Sequence, residues 1–231
     1  MSSCVVVFSG GQDSTTCLAQ ALKAYEKVYT IGFTYGQRHS VELECRARIL
    51  EKIESITGTH VLQPDLLVDI RSFGQIATCA LTTDAEIRQD EKTGLPTSFV
   101  PGRNLVFLTY AASYAWKVGA QDIITGVGEA DFSGYPDCRE ATIRALEAAV
   151  NLGMETHFRI VTPLMHLSKQ ATWELAESVG GEALVDFIRT ETHTCYEGVR
   201  AELHPWGYGC GKCPACVLRE RGWNAYLAGK A

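Results

Sequence analysis

At 231 residues, 46% hydrophobic and 21% charged, the chain is long enough to bury one sizeable core with a small appendage and too short for two large domains. Its 21 Lys and Arg against 27 Asp and Glu, a net charge of −6, argue against the broad phosphate-binding face of a nucleic-acid protein, so no nucleic-acid partner is expected. No charged and apolar leader precedes the first strand-like run, and no apolar stretch approaches the roughly 20 residues of a membrane span. A cytoplasmic protein with no membrane partner is expected.

Residues 4–8 (CVVVF) are apolar on both faces, as in a central parallel strand, and end at Ser9-Gly-Gly before a helical pattern that runs to about Tyr25. A second apolar run at 28–33 precedes a helix-patterned segment over about 40–56, which Gly58 stops ahead of a third run at 60–62. This rhythm predicts a parallel sheet. Residues 64–101 have weak periodicity, with Gly74, Gly94, Pro96 and Pro101 in polar sequence too long for an ordinary connection, and are read as a lid. Helical patterning resumes over about 104–118, and a strand at 122–125 leads into Gly126-Val-Gly128. A helix is predicted over 136–152, a last strand at 159–161, and a helix capped by Ser168 that runs to about Val179. The expected architecture is a five-stranded parallel Rossmann-like α/β sheet with helices on both faces over residues 1–188. Residues 189–231 follow as a cysteine-rich zinc-binding segment and a C-terminal helix.

Ser9-Gly10-Gly11-Gln12-Asp13-Ser14-Thr15 joins the buried strand to a helix, where unpaired backbone N–H groups and the positive end of the helix dipole face one point. Glycines let the backbone approach phosphate, and Ser9, Ser14 and Thr15 add hydroxyl donors. Asp13 would repel phosphate unless it caps backbone donors or binds magnesium, which suggests a metal-bound pyrophosphate. No Walker spacing is present, and a bare glycine turn would not need the hydroxyls and acid. The pattern resembles the PP-loop of the ATP pyrophosphatase group, which implies adenylate chemistry.

Of nine cysteines, Cys4, Cys17, Cys45, Cys79 and Cys138 are scattered and read as small buried hydrophobes. Cys210, Cys213 and Cys216 stand at C-x-x-C-x-x-C spacing, and Cys195 upstream makes four, the number a closed zinc site needs. An iron–sulfur cluster uses the same ligand type, so the cysteines alone do not choose the metal; zinc is the favoured reading. His193 and His204 are read as surface groups or as partners of the ligands.

Three further loops are candidates. Residues 33–39, with Tyr35, Gln37, Arg38 and His39, follow the second strand at the carboxyl edge, where open α/β sheets bind ligands. Arg103 and Asn104 begin a helix, suited to carboxylate or phosphate, with a plain cap as the alternative for Asn104. Residues 126–139 suit a flat polar base: the Asp131 carboxylate can accept two parallel N–H bonds, and Phe132 or Tyr135 can stack on the ring. Asp137 is the second choice of acid and could instead cap the following helix. Lys169 opposes its helix dipole unless an anion offsets it, and a solvated lysine is the alternative.

Together these loops and the four cysteines resemble the 7-cyano-7-deazaguanine synthase family across nearly the whole chain. The resemblance implies an adenine nucleotide alpha hydrolase-like fold and an ATP-dependent carbon–nitrogen ligase of queuosine biosynthesis. It implies that 7-carboxy-7-deazaguanine and ammonia give the nitrile in two ATP-driven stages, with ATP, Mg²⁺ and structural Zn²⁺ as cofactors and a homodimer as the assembly. The catalytic residues so implied are Asp13, Arg103 and Lys169. The ATP-binding set is Phe8, Ser9, Gly10, Gly11, Gln12, Asp13, Ser14, Thr15, Thr16, Cys17 and Leu18. Substrate contacts fall on Tyr35, Gln37, Arg38, Arg103, Asn104, Asp131, Phe132, Tyr135 and Asp137. A PP-loop enzyme that thiolates tRNA through an iron–sulfur cluster is the other enzymatic reading, against which the acidic charge weighs. A cysteine-knuckle binding module would leave the acidic aromatic loop without a role.

Overall fold

The computed structural model describes residues 2–77, 79–83, 86–129 and 134–230. Strands β1 (Ser3–Val7), β2 (Lys27–Thr34), β3 (Leu66–Asp69), β4 (Asp122–Ile124) and β5 (Arg159–Val161) form one sheet in the order β3-β2-β1-β4-β5, every pairing parallel. Helices α1 (Gln12–Ala24), α2 (Val41–Thr57), α3 (Arg71–Ile76), α4 (Arg103–Val118), α5 (Glu140–Met154), α6 (Lys169–Glu191) and α7 (Pro214–Ala228) connect and flank it. A two-stranded hairpin, β6 (Leu203–His204) with β7 (Gly207–Tyr208), lies between α6 and α7. No helix among the described residues is long and apolar enough to cross a membrane.

Strand β1 shows why the sheet is covered twice. Its side chains alternate in direction: Cys4, Val6 and the adjoining Phe8 pack with Leu18, Ile49, Trp173 and Ile188, whereas Val5 packs with Leu108, Ala112, Ile123 and Ile143 on the opposite face. Helices α1, α2 and α6 therefore cover one face and α4 and α5 the other, as the five-stranded α/β reading expects. Tyr226 of α7 closes the first core, its ring 6.4 Å from that of Trp173.

The elements depart from the sequence reading at two places. The third strand lies at 66–69, not 60–62. The earlier run makes a bridge to β2 through Val28 and Leu62, then Pro64, which has no N–H to donate, interrupts the ladder before pairing resumes at Leu66. The helix expected to end near Val179 continues as a second piece beyond a break at Gly180 and Gly181, where Gly181 takes φ +66°.

The cysteine-bearing tail is fastened to the core by Arg219, which is fully buried. Its guanidinium donates to the carbonyls of Trp206 (2.9 Å) and Ile188 (3.1 Å) and to the Thr194 hydroxyl (2.9 Å), joining the end of α6 to the cysteine-bearing loop. Arg46 does the same work at β1: it donates to the Phe8 carbonyl at 2.9 Å and pairs with Asp65, crossing a space that a side chain at Gly32 would fill.

Candidate active site at the carboxyl edge of the sheet

Strand order reverses between β1 and β4, and a cavity of about 360 Å³ opens there, lined by residues that follow β1, β2, β4 and β5. The loop after β1 forms its floor. Gly10 takes φ +98°, and a Cβ there would stand 2.6 Å from the Glu42 carbonyl oxygen. The hydroxyls of Ser9 and Ser14 meet at 3.1 Å, and Ser9 Oγ accepts the Gly11 N–H at 3.2 Å, which fixes the turn. No side chain caps α1 at Gly11, so its first turn offers backbone N–H groups and the positive dipole end to an anion.

Asp13 stands in that first turn. Lys169 Nζ donates to both of its carboxylate oxygens, at 2.8 and 2.7 Å, and both side chains line the cavity. The lysine thus has the anion its place at the start of α6 calls for, while Ser168 caps the helix through the Ala171 N–H. The pair gives Asp13 a cationic partner within the chain.

The opposite wall is aromatic and basic. Arg103 lies 5.9 Å from the Tyr35 ring centre and 6.0 Å from that of Tyr135. The Tyr135 hydroxyl meets Ser98 Oγ at 2.7 Å and the Tyr196 hydroxyl at 3.4 Å. Burial pushes the hydroxyls of Tyr35 and Tyr196 above the usual tyrosine range, so both stay neutral. Flat rings and one guanidinium make a pocket for a planar, polar, partly anionic ligand.

The third wall comes from the tail. The sulfurs of Cys195, Cys210, Cys213 and Cys216 lie within 4.8 Å of one another, a cluster that can hold a metal ion. Hydrogen bonds among these thiols lower the pKa of Cys195 and raise those of Cys213 and Cys216, so the thiols share their protons and a metal ion would have to displace them. Cys195 lines the cavity together with His193, Thr194 and Tyr196, so metal loop and pocket share one stretch of chain. His193, expected near the surface or beside a ligand, is 3% exposed. Its Nε2 lies 3.1 Å from the Cys195 carbonyl, which assigns the proton there and leaves Nδ1 as a buried acceptor without a protein partner. Burial pushes the ring down to about 4 and keeps it neutral. His204 braces the same loop, with Nε2 3.0 Å from the Gly209 carbonyl and its ring stacked on Trp206.

Of the residues expected at the nucleotide, Phe8, Ser9, Gly11, Gln12, Asp13 and Ser14 line the cavity, and Gly10 shapes the turn beneath it. The Gln12 amide, 1% exposed, has no partner for either polar atom. Thr15, Thr16, Cys17 and Leu18 do not line it: they face the core. The two threonine hydroxyls are satisfied by the Gly11 and Gln12 carbonyls, at 2.7 and 3.1 Å, and Cys17 and Leu18 are fully buried. Of the substrate set, Tyr35, Gln37, Arg38, Arg103, Asn104 and Tyr135 line the cavity. Asp137 does not: it is buried and caps α4 rather than the helix after it, accepting the Asn104 N–H at 3.0 Å, where the dipole favours a carboxylate. Asp131 and Phe132 lie outside the described residues. Sequence reasoning missed Glu42, Tyr196 and Leu81, all of which line the cavity.

Loss of the metal should therefore be felt in the pocket. Cys213→Ser is expected to lower the thermal midpoint by about 10 °C, the shift that loss of roughly 3–4 kcal/mol gives at this size. Limited proteolysis should then cut between His193 and Cys213. A variant that stays metal-loaded and uncut would show that the cluster does not support this wall.

The family model described as "Queuosine biosynthesis protein QueC" matches residues 3–227. The 7-cyano-7-deazaguanine synthase of Parvibaculum lavamentivorans is 55% identical over 228 residues, 98% of this chain and 96% of that one. That of Burkholderia mallei is 53% identical over 229 residues, 98% of this chain and 93% of that one. Among solved structures, a 4-thiouridine synthetase–RNA complex with bound ATP aligns with TM-score 0.53 at 18% identity, over 97% of this chain and 54% of that longer one, a likeness of fold alone. On the family match and these two relatives, the chain belongs to the queuosine biosynthesis protein QueC family.

Proposed function

We propose that this chain is a 7-cyano-7-deazaguanine synthase that joins 7-carboxy-7-deazaguanine to ammonia with ATP. The observation that carries this reading beyond the family is a single cavity in which an uncapped helix N-terminus and a lysine face a flat aromatic wall with an arginine. A carboxylate carbon reacts with ammonia only once its oxygen is a good leaving group, and transfer of AMP from ATP makes it one. The acid is adenylated, and ammonia then displaces AMP to give an amide. The amide oxygen is then adenylated and lost, leaving the nitrile. One site serves both stages, because both bring an oxygen on the same carbon to the same phosphate.

The first turn of α1 binds the phosphates through backbone N–H groups, and Lys169, steadied by Asp13, offsets charge on the departing pyrophosphate. Arg103 holds the substrate's acid while Tyr35 and Tyr135 flank the ring. Asp13 pairs with Lys169 through both oxygens, and its remaining lone pairs would be open to the magnesium ion that accompanies ATP.

For the cysteine cluster we favour zinc. Four thiolates around one ion at about 2.3 Å sit about 3.8 Å apart, and Cys210 and Cys216 stand at 3.9 Å. A multi-iron cluster ties its cysteines to separate irons and spreads them further. Elemental analysis should find one zinc per chain in colourless protein; a brown preparation containing iron would reject this assignment.

The protein incubated with ATP, Mg²⁺, ammonium and 7-carboxy-7-deazaguanine should give the nitrile with AMP, read by mass spectrometry. Recovery of unchanged acid would sink the substrate assignment. In the same assay Lys169→Met should lower kcat about 10²–10³-fold, with a smaller change in KM for the deazaguanine; an unaltered kcat would remove the lysine from the chemistry.

A further inference from the structure

Glu42 puts a carboxyl group in a place built for anions. It stands in the first turn of α2, lines the cavity with Asp13, Lys169 and Arg103, and a Cβ at Gly11 would lie 3.1 Å from its Oε1. The acid sits directly over the phosphate loop. Asp13 has its cation in Lys169, whereas among the described residues Glu42 is stabilised as an anion by a hydrogen bond from the Ser9 hydroxyl and by Arg103 at longer range, and is opposed by Asp13. A carboxylate here repels both ATP and the substrate's acid, so its presence calls for a cationic or proton-donating ligand. The proposed reaction supplies one, because every proton that must leave is on nitrogen.

We propose that the Glu42 carboxylate is the catalytic base that takes the N–H protons in both stages, an inference that rests on the synthase reading above. In the first stage ammonium gives a proton to Glu42, and the freed lone pair forms the C–N bond. The C–O bond to the adenylate breaks with its electron pair leaving on AMP, and the nitrogen releases a second proton. In the second stage the adenylated amide, C(=NH₂⁺)–O–AMP, gives up both N–H protons as its C–O bond breaks and the C≡N bond forms. No oxidant or reductant is required, and Glu42 returns each proton to solvent through the open cavity. Burial raises its carboxyl above the usual range, towards the basicity the task needs. The groups that face it are Ser9 and Asp13 from the phosphate loop and α1, Arg103 from α4, Tyr35 after β2, and Cys45 on α2 itself.

The test separates adenylation from proton removal. Wild-type protein, Glu42→Gln and Glu42→Asp are compared in ATP–pyrophosphate exchange with the acid, and in conversion of the separately supplied amide to nitrile. E42Q, with the repelling charge removed, should keep exchange at or above the wild-type level and lose nitrile formation about 10²–10⁴-fold. Alkaline buffer, by supplying free ammonia, should restore its amide formation but not its nitrile formation. E42D should keep part of the activity. In the wild type, nitrile formation from the amide should fall as pH drops through the raised carboxyl pKa, because the base form is then lost. Exchange and nitrile formation falling together in E42Q would make Glu42 an ATP-binding group and overturn the proposal, as would unchanged nitrile formation. If E42Q fails to fold, E42D with no activity loss or a flat wild-type acid limb overturns it instead. A wild type that makes no nitrile at all condemns the synthase reading rather than Glu42.

Discussion

Everything at the site follows from the reversal of strand order between β1 and β4. Parallel strands need crossovers, and crossovers on either side of the reversal leave for opposite faces of the sheet. The carboxyl ends of the two strands are therefore the one edge that neither set of helices covers. The chain exploits this gap by starting α1 there without a cap and by bending the backbone at Gly10 into a conformation other residues rarely adopt. Arg46 anchors the turn from behind by holding the Phe8 carbonyl.

Charge in the cavity is arranged in layers. The helix end and Lys169 favour phosphate, the lysine is kept in place by Asp13, and Arg103 lies across the pocket among neutral tyrosines. In the reaction proposed above such preorganisation would matter, because the dipoles and the paired lysine would need little rearrangement as charge moves from substrate oxygen to phosphate. The tail completes the enclosure, and Arg219 explains why it does so rigidly: one buried guanidinium ties together α6, Thr194 and the hairpin region.

Much of this was readable in the sequence wherever one residue type has one physical use. The glycine turn into α1, the Ser168 cap, the strand at 159–161 and the cysteine spacing are of that kind. Strand β3 was hidden because it is an edge strand with half its side chains outward, preceded by a more apolar run that Pro64 cuts off. The second half of α6 was hidden by the glycine pair, which reads as a stop although packing carries the helix on. Asp137, Glu42 and His193 could not be assigned by local pattern, since each is defined by a partner distant in sequence: the Asn104 N–H, the phosphate loop and the Gly10 carbonyl. A carboxylate in the first turn of a helix is ordinarily a dipole partner, and only the fold turns Glu42 towards the cavity.

The contact between His193 N–H and the Gly10 carbonyl, at 3.3 Å, joins two points that lie nearly the whole described chain apart. Contacts of this kind form late, after the loops between them have closed. The loop after β1 is therefore enclosed only when the end of α6 and the cysteine-bearing tail have docked against it. On the metal assignment proposed above, chains without the ion would keep the sheet yet leave the pocket open, so supply of the ion as well as of protein would set how many finished sites exist.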